Sequence, residues 1–425
     1  MFSFFNKWPR GCASVPLFLL LCLAQPSLAA RASQSLTLEQ ALNQTLANNP
    51  LLYQFRLRQQ VLQSKRQTSA LKPQLALNLE VENFAGSGAK QDFKQAETSL
   101  SLSSVFEFGG KVGARMSVAS ARLARLDYQQ QAATLDVLGD VTAQFIDTVA
   151  TQEQIKLARD AQVLAQRMVE TVRNRAQRGA AAEADVLRAR ATLARAEIAL
   201  AGLQEKLDRQ KVSLALFWKQ SPANFTQLQG DLLHLEASRD FASLFDAAKD
   251  SPAIEVLASS QRLKAAELSL AQAQASTDIQ WQVGVKHFAE TDDHALTAGV
   301  SIPLFNRQRS AGNQRVAAAE YDAVSYQQES ALLKLHARLY QAYSLRQQNI
   351  AAQKKIQQNI LPALEQALQL TQEAYENGRY RYQDWLMAQD ELLQARQQLI
   401  SNATTAWHQQ ALIEQLTAQP LSPQQ

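Results

Sequence analysis

The stretch Asn306–Ala418 decides the fold, and its centre reads Tyr375-Glu376-Asn377-Gly378-Arg379-Tyr380. It contains one proline and two glycines, and it is rich in the good helix formers Ala, Gln, Glu, Leu and Arg. Gly378 predicts a turn between two long helices. The first of them, near Ala311–Asn377, would be about 100 Å long at about 1.5 Å per residue. Such a helix indicates a rod, a coiled coil or the wall of a helical tube.

The same pattern occurs earlier in the chain, which predicts a tandem duplication. Gly110–Trp218 is another helix-favouring run, and Gly179 interrupts it. The two turns correspond, because Gly179 is followed six residues later by Asp185 and Gly378 is followed six residues later by Asp384. The repeat has a period of about 200 residues, so the fold is expected to consist of two copies of one unit.

Composition and charge exclude some classes of protein. The chain has 425 residues and a formal net charge of +4, from 43 Lys and Arg against 39 Asp and Glu. This balance is too mild to indicate a nucleic-acid-binding protein. Only 14 glycines and 11 prolines are present, which favours long uninterrupted elements.

The N-terminus, Met1–Ala30, has the features of a secretory signal peptide. Lys7 and Arg10 precede an apolar run, and small residues at a suitable cleavage position follow it. A membrane anchor is the alternative, but the apolar run is shorter than the ~20 residues that a helical span needs. Both cysteines, Cys12 and Cys22, lie in this segment, so the mature chain would have neither a disulfide nor a thiolate metal site.

The duplication divides the chain into a signal, two repeats, an irregular connector and a short tail. Each repeat is expected to hold short helices, a β-hairpin and a long helical hairpin. The β-hairpins fall near 74–108 and 278–303, and the helical hairpins turn at Gly179 and Gly378. The predicted bounds are 1–30 for the signal, 31–218 for the first repeat, 219–239 for the connector, 240–418 for the second repeat and 419–425 for the tail.

In each predicted β-hairpin the hydrophobic period changes from 3.6 to 2, which is typical of strands. Apolar and polar residues alternate along 75–82 and 99–108, and again along 279–288 and 296–302. Each strand is about ten residues long, which suits a tilted membrane-spanning strand. An ordinary soluble hairpin with one wet face would show the same pattern.

Four strands of this kind cannot close a membrane barrel, because a barrel needs about eight or more. Unpaired strand edges are not viable in lipid, so a membrane-spanning chain would have to oligomerise. Apolar outer faces and polar inner faces would then enclose a water-filled pore. Aromatic residues near the strand ends would form girdles at the membrane borders: Phe84, Phe93, Trp281, Phe288 and Phe305.

Several motifs resemble those of the TolC-like outer-membrane efflux proteins. The resemblance covers essentially the whole mature chain and occurs in both repeats. The segment Pro303-Leu304-Phe305-Asn306-Arg307-Gln308 makes the chain most similar to the cation-efflux (CzcC-like) branch. The other motifs are Leu36–Leu42, Asn49-Pro50, Phe108–Arg115, Val300–Asn306, Gly179–Leu187 and Tyr375–Leu386.

The resemblance implies a mainly α fold with four transmembrane β-strands in each chain. Three identical chains would share one outer-membrane β-barrel, and their long helices would form a periplasmic α-helical barrel. Such a channel contacts outer-membrane lipid, and it docks with a periplasmic adaptor (membrane fusion) protein and an inner-membrane resistance-nodulation-division pump. The expected cargo is a heavy-metal cation. The alternatives are a duct for drug efflux or type I protein secretion and, from another class, a periplasmic coiled-coil scaffold.

The resemblance also implies a gate at the periplasmic end, near the two turns. Asp185 matches the family's gate aspartate in the first turn. Tyr375 matches its tyrosine partner beside the second turn. We therefore expect a direct Asp185–Tyr375 link to hold the gate closed, with Gly179 and Gly378 at the tips of the helical hairpins.

Other gate positions depart from the family's pattern. Asp384 matches the first of two acidic positions that ring the pore, whereas the second falls on Met387. The family's gate arginine falls on Tyr380, next to Arg379. Three copies of Asp384 would form an acidic ring that favours cations. Alternatively, Asp185 and Asp384 only begin the returning helices, where the helix dipole favours carboxylates.

The remaining candidates concern backbone breaks and catalysis. We place the strand–helix junctions at Pro73, Gly109, Gly110 and Pro303. The five histidines are scattered without ligand spacing, so no metal site and no cofactor is expected. The sequence has no phosphate-binding loop, nucleophile elbow or zincin motif, which argues against an enzyme.

Overall fold

The computed structural model describes residues 35–235, 239–304 and 306–419. The predicted signal peptide, Phe305 and the end of the predicted tail lie outside the described residues. Within these ranges the chain is mainly helical, and the elements of both repeats follow one another in the predicted order.

The first repeat consists of short helices, two strands and a long helical pair. Its longest helix has 67 residues and is therefore about 100 Å long. The elements are β1 (Ser35–Thr37), α1 (Leu38–Asn48), α2 (Pro50–Ser69), β2 (Ala76–Glu82), a 3₁₀ turn (Gly88–Lys90), β3 (Glu97–Phe106), α3 (Lys111–Gln177), α4 (Glu183–Leu216) and, in the connector, β4 (Gln227–Gln229).

The second repeat has the same order, but its long first arm is not continuous. A π-helical turn, Ile356–Ile360, lies just before Pro362. Proline has no N–H to complete a regular turn and crowds the turn before it, so the backbone widens there. The single helix predicted over 311–377 is therefore interrupted. The elements are α5 (Phe241–Lys249), α6 (Pro252–Ala273), β5 (Ile279–Phe288), β6 (Asp293–Ser301), α7 (Asn306–Lys355), α8 (Leu361–Glu376) and α9 (Tyr382–Thr417).

The two β-hairpins lie side by side in one antiparallel sheet with the order β2-β3-β5-β6. β3 and β5 join the repeats, with a register that runs from Glu97 opposite Phe288 to Phe106 opposite Ile279. In the part of the chain that the structure describes, the edge strands β2 and β6 each pair on one side only. Each edge strand therefore has a row of backbone groups that can pair with another chain.

Buried apolar side chains form separate clusters along the helices. One cluster lies where α1, α3, α4 and α9 meet the connector, and it includes Phe145, Leu214 and Trp218. A second joins α5, α6, α7 and α9. A third lies at the turns of the two long helical hairpins. Because the clusters are spread along the helices, each level of the elongated molecule has its own packing.

The connector is more ordered than predicted. β4 pairs in parallel with β1, from Ser35 opposite Gln227 to Thr37 opposite Gln229. Phe225, Leu228 and Leu232 are buried in the cluster against α3 and α4. Burial of these apolar side chains orders a segment that lacks helical periodicity.

Candidate pore and gate

The two long helical hairpins end in turns of the same geometry. Gly179 has φ +74° and Gly378 has φ +75°, in the left-handed region that favours glycine. After α3, Gly179 N donates to Ala176 O at 2.9 Å and Ala180 N donates to Arg175 O at 2.9 Å. Gly378 and Arg379 make the matching pair of bonds after α8. Both turns are thus Schellman caps, and both glycines lie where they were predicted.

The two turns of one chain pack against each other. Met168 and Val172 of α3 and Val186 and Ala189 of α4 are buried in one cluster with three aromatic residues from the other hairpin. These aromatic residues are Tyr375, Tyr382 and Trp385. The cluster joins the helical hairpins at the level where the sequence places the gate.

Tyr375 lies at the centre of this contact and is only 3% exposed. Its ring stacks on Trp385 with 5.3 Å between the ring centroids. The guanidinium carbon of Arg175 lies 4.5 Å from the Tyr375 centroid. The hydroxyl of Tyr375 is buried and has no hydrogen-bond partner in the described chain, and burial raises its pKa.

The predicted direct link between Asp185 and Tyr375 is not formed within the chain. Asp185 is the third residue of α4, and its carboxylate accepts from Arg188 Nη1 at 3.4 Å. The carboxylate thus has a partner on its own helix, one turn away, and the tyrosine ring is held by stacking. The folded structure, and not the sequence pattern, identifies Arg188 as the partner of Asp185.

The remaining predicted gate residues lie on the surface of the second turn. Asp384 is the third residue of α9, and its Oδ2 accepts from Arg381 N at 2.9 Å. Within one chain Asp384 therefore caps the start of α9, and the ring of three Asp384 carboxylates stays a prediction. Met387 is 60% exposed and Tyr380 is 52% exposed, and Arg379 is also exposed.

The sheet has one polar face, which is the candidate pore lining. Lys286 Nζ lies 3.0 Å from Glu82 Oε2 and also pairs with Glu97. Further along this face, Gln282 Nε2 donates to Ser101 Oγ at 2.8 Å. Successive residues of a strand point to opposite faces, so these side chains share the face that also carries Glu80.

The opposite face of the sheet is apolar and exposed. Leu77 is 70% exposed, Leu79 is 69% exposed and Leu296 is 87% exposed. Soluble proteins rarely expose a continuous apolar patch of this kind without a partner or a membrane. The predicted alternation of apolar and polar faces is confirmed.

Aromatic pairs lie near both ends of the sheet. Phe84 and Phe93 stack in the first loop with 5.3 Å between their centroids. Phe106 and Trp281 stack at the helical end of the strands with 5.9 Å between theirs. The structure thus adds Phe106, which the sequence pattern did not single out as an aromatic girdle residue.

A compact ionic junction joins the sheet to the helices. Lys111 Nζ lies 2.7 Å from Asp278 Oδ1 and donates to Ser276 O at 2.8 Å. Arg115 donates to both carboxylate oxygens of Glu107, at 2.5 Å and 2.8 Å. These hydrogen bonds lower the pKa of Glu107. The pairs cross between the repeats or between strand and helix, so they fix the orientation of the sheet.

The predicted junction residues take different places around this ionic junction. Gly109 and Gly110 have φ +76° and +70°, and Gly110 is the N-cap of α3. The glycines thus make the sharp turn between β3 and α3, whereas Pro73 lies between α2 and β2 and Pro303 lies at an exposed position between β6 and α7.

Sequence reasoning missed the residues that depend on tertiary contact. Arg175 is one of many arginines in the helices, and nothing in its local sequence indicates a stacking partner. His287 and His294, which are seven residues apart, are opposite each other on β5 and β6, with 4.8 Å between ring centroids. Their strand register could have indicated this pair.

In residues 35–235, 239–304 and 306–419, no group of three or more His, Cys, Asp or Glu side chains is arranged to hold a metal ion. Among the helices that the structure describes, none is both long enough and apolar enough to cross a membrane.

Comparisons with known proteins agree with this arrangement. The profile of the family described as Outer membrane efflux protein matches residues 41–218 and 281–418. The chain is 27% identical over 308 residues to the cobalt-zinc-cadmium resistance protein CzcC of Cupriavidus metallidurans, covering 71% of this chain and 73% of that protein. It is 25% identical over 332 residues to the pyoverdine export outer membrane protein OpmQ of Pseudomonas putida, covering 75% and 69%.

The fold is similar to that of a solved structure. The outer membrane protein VceC of Vibrio cholerae matches with a TM-score of 0.75 and 21% sequence identity. The match covers 91% of this chain and 97% of that chain. This likeness confirms the predicted fold class, a mainly helical chain with a few strands and the fold of an outer-membrane channel.

Proposed function

Because the chain belongs to the family of outer membrane efflux proteins, we propose that three copies of it form the exit duct of a tripartite system that exports heavy-metal cations. Family membership places the chain in the outer membrane, with a large periplasmic helical part, and identifies it as a channel and not an enzyme. It also argues against the periplasmic scaffold alternative. The number of copies, the partners and the cargo belong to the proposal.

The two-faced sheet carries the proposal. Its apolar face suits lipid, its polar face suits water, and its edges at β2 and β6 are open. Open edges in lipid cost several kcal/mol for each unsatisfied backbone group. Pairing β2 of one chain with β6 of the next removes these edges. Three chains would supply twelve strands, enough for a barrel with a water-filled interior.

The turn tips supply a surface for the adaptor. Tyr380 in the second turn is 52% exposed, and Leu187 and Met387, near the starts of α4 and α9, are 57% and 60% exposed. Apolar side chains at the free end of a helical hairpin suit contact with a helical partner. We propose that the periplasmic adaptor binds here and that the adaptor connects the duct to a resistance-nodulation-division pump.

The charge of the polar face favours cations as cargo. Four carboxylates and one ammonium group of the described strands lie on this face, so carboxylates exceed ammonium groups there: Glu80, Glu82, Glu97, Asp293 and Lys286. Carboxylates along a pore raise the local concentration of cations. The similarity to CzcC, whose name states cobalt, zinc and cadmium resistance, supports the same cargo class.

Similarity to OpmQ favours a second candidate, the export of a small organic molecule. That relative is 25% identical and is described as a pyoverdine export protein. A passive duct accepts what its pump delivers, so the preference of the polar face for cations does not by itself exclude an organic cargo. Growth of a deletion strain separates the two candidates.

The test is growth of the deletion strain on graded Zn²⁺, Co²⁺, Cd²⁺, Ni²⁺, Cu²⁺ and Ag⁺, beside a panel of antibiotics and detergents. We expect sensitivity to one or two metals, restored by the intact gene and not by the empty vector. Sensitivity only to drugs or detergents would retain the duct and contradict the metal assignment. Unchanged growth under every condition would contradict both cargo candidates.

A further inference from the structure

We propose that Arg175 holds the periplasmic end of the duct closed by stacking its guanidinium on Tyr375, in a tip clamp formed by Arg175, Tyr375 and Trp385. The proposal rests on the proposed channel function, which it deepens by naming the contact that gates it. It also replaces the Asp185–Tyr375 link that the family resemblance implied.

The geometry of the tip clamp is that of a partly desolvated cation–π contact. The Arg175 guanidinium carbon lies 4.5 Å from the Tyr375 centroid, inside the ~6 Å limit for this attraction. Trp385 stacks on Tyr375 at 5.3 Å, so the tyrosine ring cannot easily rotate away. Burial strengthens the attraction because less water screens the charge.

Arg175 contacts both turns. It is in the last turn of α3, and its Nη2 donates to Ala180 O at 3.3 Å in the first turn. On the other side, a β-carbon on Gly378 would lie 3.5 Å from the same Nη2. This is an ordinary van der Waals distance, so the guanidinium lies close to the second turn as well. One side chain thus connects the two helical hairpins.

The hydrogen bonds of the described chain do not include a link between the Asp185 carboxylate and the Tyr375 hydroxyl. The Tyr375 hydroxyl has no hydrogen-bond partner in the described chain, and Arg175 Nε and Nη1 are buried without one. Asp185 pairs with Arg188 on its own helix. The ring of Tyr375, and not its hydroxyl, therefore makes the contact between the hairpins.

In the proposed tip clamp the duct opens at this end when the two turns separate, because Arg175 and Tyr375 lie on different hairpins and separation pulls the guanidinium off the ring. Removal of the cation or the ring should release the turns, whereas removal of only the hydroxyl should not. Tyr375→Phe is therefore the matched control for Tyr375→Leu. Arg175→Lys keeps the charge without the planar group and should have an intermediate effect.

The first measurement is the distance between spin labels on the two turns. The cysteines of the chain are Cys12 and Cys22, both in the predicted signal, so Glu183→Cys and Glu376→Cys give selective labels. The labelled full chain is diluted with unlabelled chain so that distances within one subunit dominate. We expect a narrow distribution without further change and with Tyr375→Phe or Asp185→Asn. Arg175→Gln and Tyr375→Leu should give longer and broader distances.

The second measurement is the open probability of the purified protein in planar bilayers. Arg175→Gln and Tyr375→Leu should raise it about tenfold, the size expected for loss of a partly desolvated cation–π contact. Tyr375→Phe should leave it unchanged. An increase with Tyr375→Phe or Asp185→Asn, but none with Arg175→Gln, would overturn the tip clamp and support the carboxylate link.

The two measurements separate failure of the tip clamp from failure of the duct. A conducting protein whose distances and open probability are the same with every substitution contradicts the tip clamp and retains the duct. A protein that never conducts, but whose turns separate with Arg175→Gln, contradicts the channel function and retains the contact between the turns.

Discussion

At the level of single residues, three glycines close to the start of α3 differ in how strongly the structure requires a glycine at their position. Gly109 has φ +76°, and an added β-carbon would lie 2.1 Å from Ser276 Oγ. Gly110 has φ +70° but no atom within 4 Å of that position. Gly113 is inside α3 with a helical φ and open space around it. The first needs both the backbone freedom and the space, the second needs only the freedom and the third needs neither.

Alanine at each of these positions should therefore have a graded effect on stability. Gly110→Ala should destabilise by about 1–2 kcal/mol because of its left-handed backbone. Gly109→Ala should cost more, because Ser276 must also move. Gly113→Ala should stabilise by up to about 1 kcal/mol through helix propensity. The measurement is the midpoint of thermal loss of the helical circular dichroism signal in detergent.

The order of the three midpoints is the essential result. If Gly109→Ala and Gly110→Ala melt at the same temperature, the close contact with Ser276 is wrong, because that contact is what distinguishes these two positions.

At the level of elements, Glu107, which follows β3, pairs with Arg115 in the second turn of α3 and so ties the strand to the helix. The bidentate hydrogen bonds lower the pKa of Glu107 below its ordinary value of 4.5. A carboxyl whose pKa is lowered by folding stabilises the fold above its unfolded pKa. This contribution is lost as the pH falls through the folded pKa.

Glu107→Gln should therefore destabilise by about 1.5–3 kcal/mol at pH 7, the usual contribution of hydrogen bonds to a charged group. The difference from the unchanged protein should persist down to about pH 4.5 and disappear in more acidic solution. Thermal melts from pH 3 to pH 8 measure it. Glu205→Gln, at an exposed position of α4, is the control and should show no such pH dependence. A difference that grows on acidification would contradict the role of the pair.

Each strand has an apolar face and a polar face, and neighbouring residues on the two faces lie at the same depth in the proposed membrane. Leu102 lies on the apolar face opposite Val283, whereas the next residue, Ser103, lies on the polar face opposite Gln282. A lysine on a lipid face costs about 2–4 kcal/mol near the middle of a membrane, but a lysine in a watery interior costs little.

Leu102→Lys should thus reduce the amount of folded protein in the outer membrane severalfold. Ser103→Lys is the matched control, one residue away on the other face, and should insert normally. Heat-modifiable migration of the membrane fraction in gel electrophoresis measures the folded amount. Equal insertion of both variants would show that the apolar face does not meet lipid.

At the level of the whole molecule, the open sheet edges and the long exposed helices suit contacts with other copies of the chain. β2 and β6 each have one partner strand in the described chain. An open edge with exposed apolar residues would aggregate if nothing covered it. Closed symmetry is the usual way in which identical chains satisfy such edges.

We expect the purified protein to have three times the mass of the mature chain in mild detergent. Native mass spectrometry or light scattering corrected for detergent measures this mass. Substitution of Leu79 by proline should remove an edge hydrogen-bonding group of β2 and lower the trimer fraction. Proline in place of exposed Gln91, in the loop, is the control. A stable monomer in the unchanged protein would contradict the shared barrel.

Long-range contacts explain where sequence reasoning stopped. Helices and strands could be predicted because their hydrophobic periods and glycine breaks are local. Pro362 is a local signal that the helix is interrupted. Nothing in the local sequence indicates that the interruption takes the form of a π turn. The pairing of Arg175 with Tyr375 joins residues 200 positions apart. No local pattern selects one arginine from the many on these helices.

The sequence by itself determined the duplication, the alternation of helix and strand, the two-faced strands and the glycine turns. These features follow from periodicity and from backbone conformations that only certain residues favour. Only the tertiary structure decided which side chains meet. It seated Arg175 on Tyr375, gave Asp185 a partner on its own helix and joined β3 to β5. The physical reason is that such contacts depend on how distant segments pack, because burial and stacking energies act between surfaces that exist only after folding.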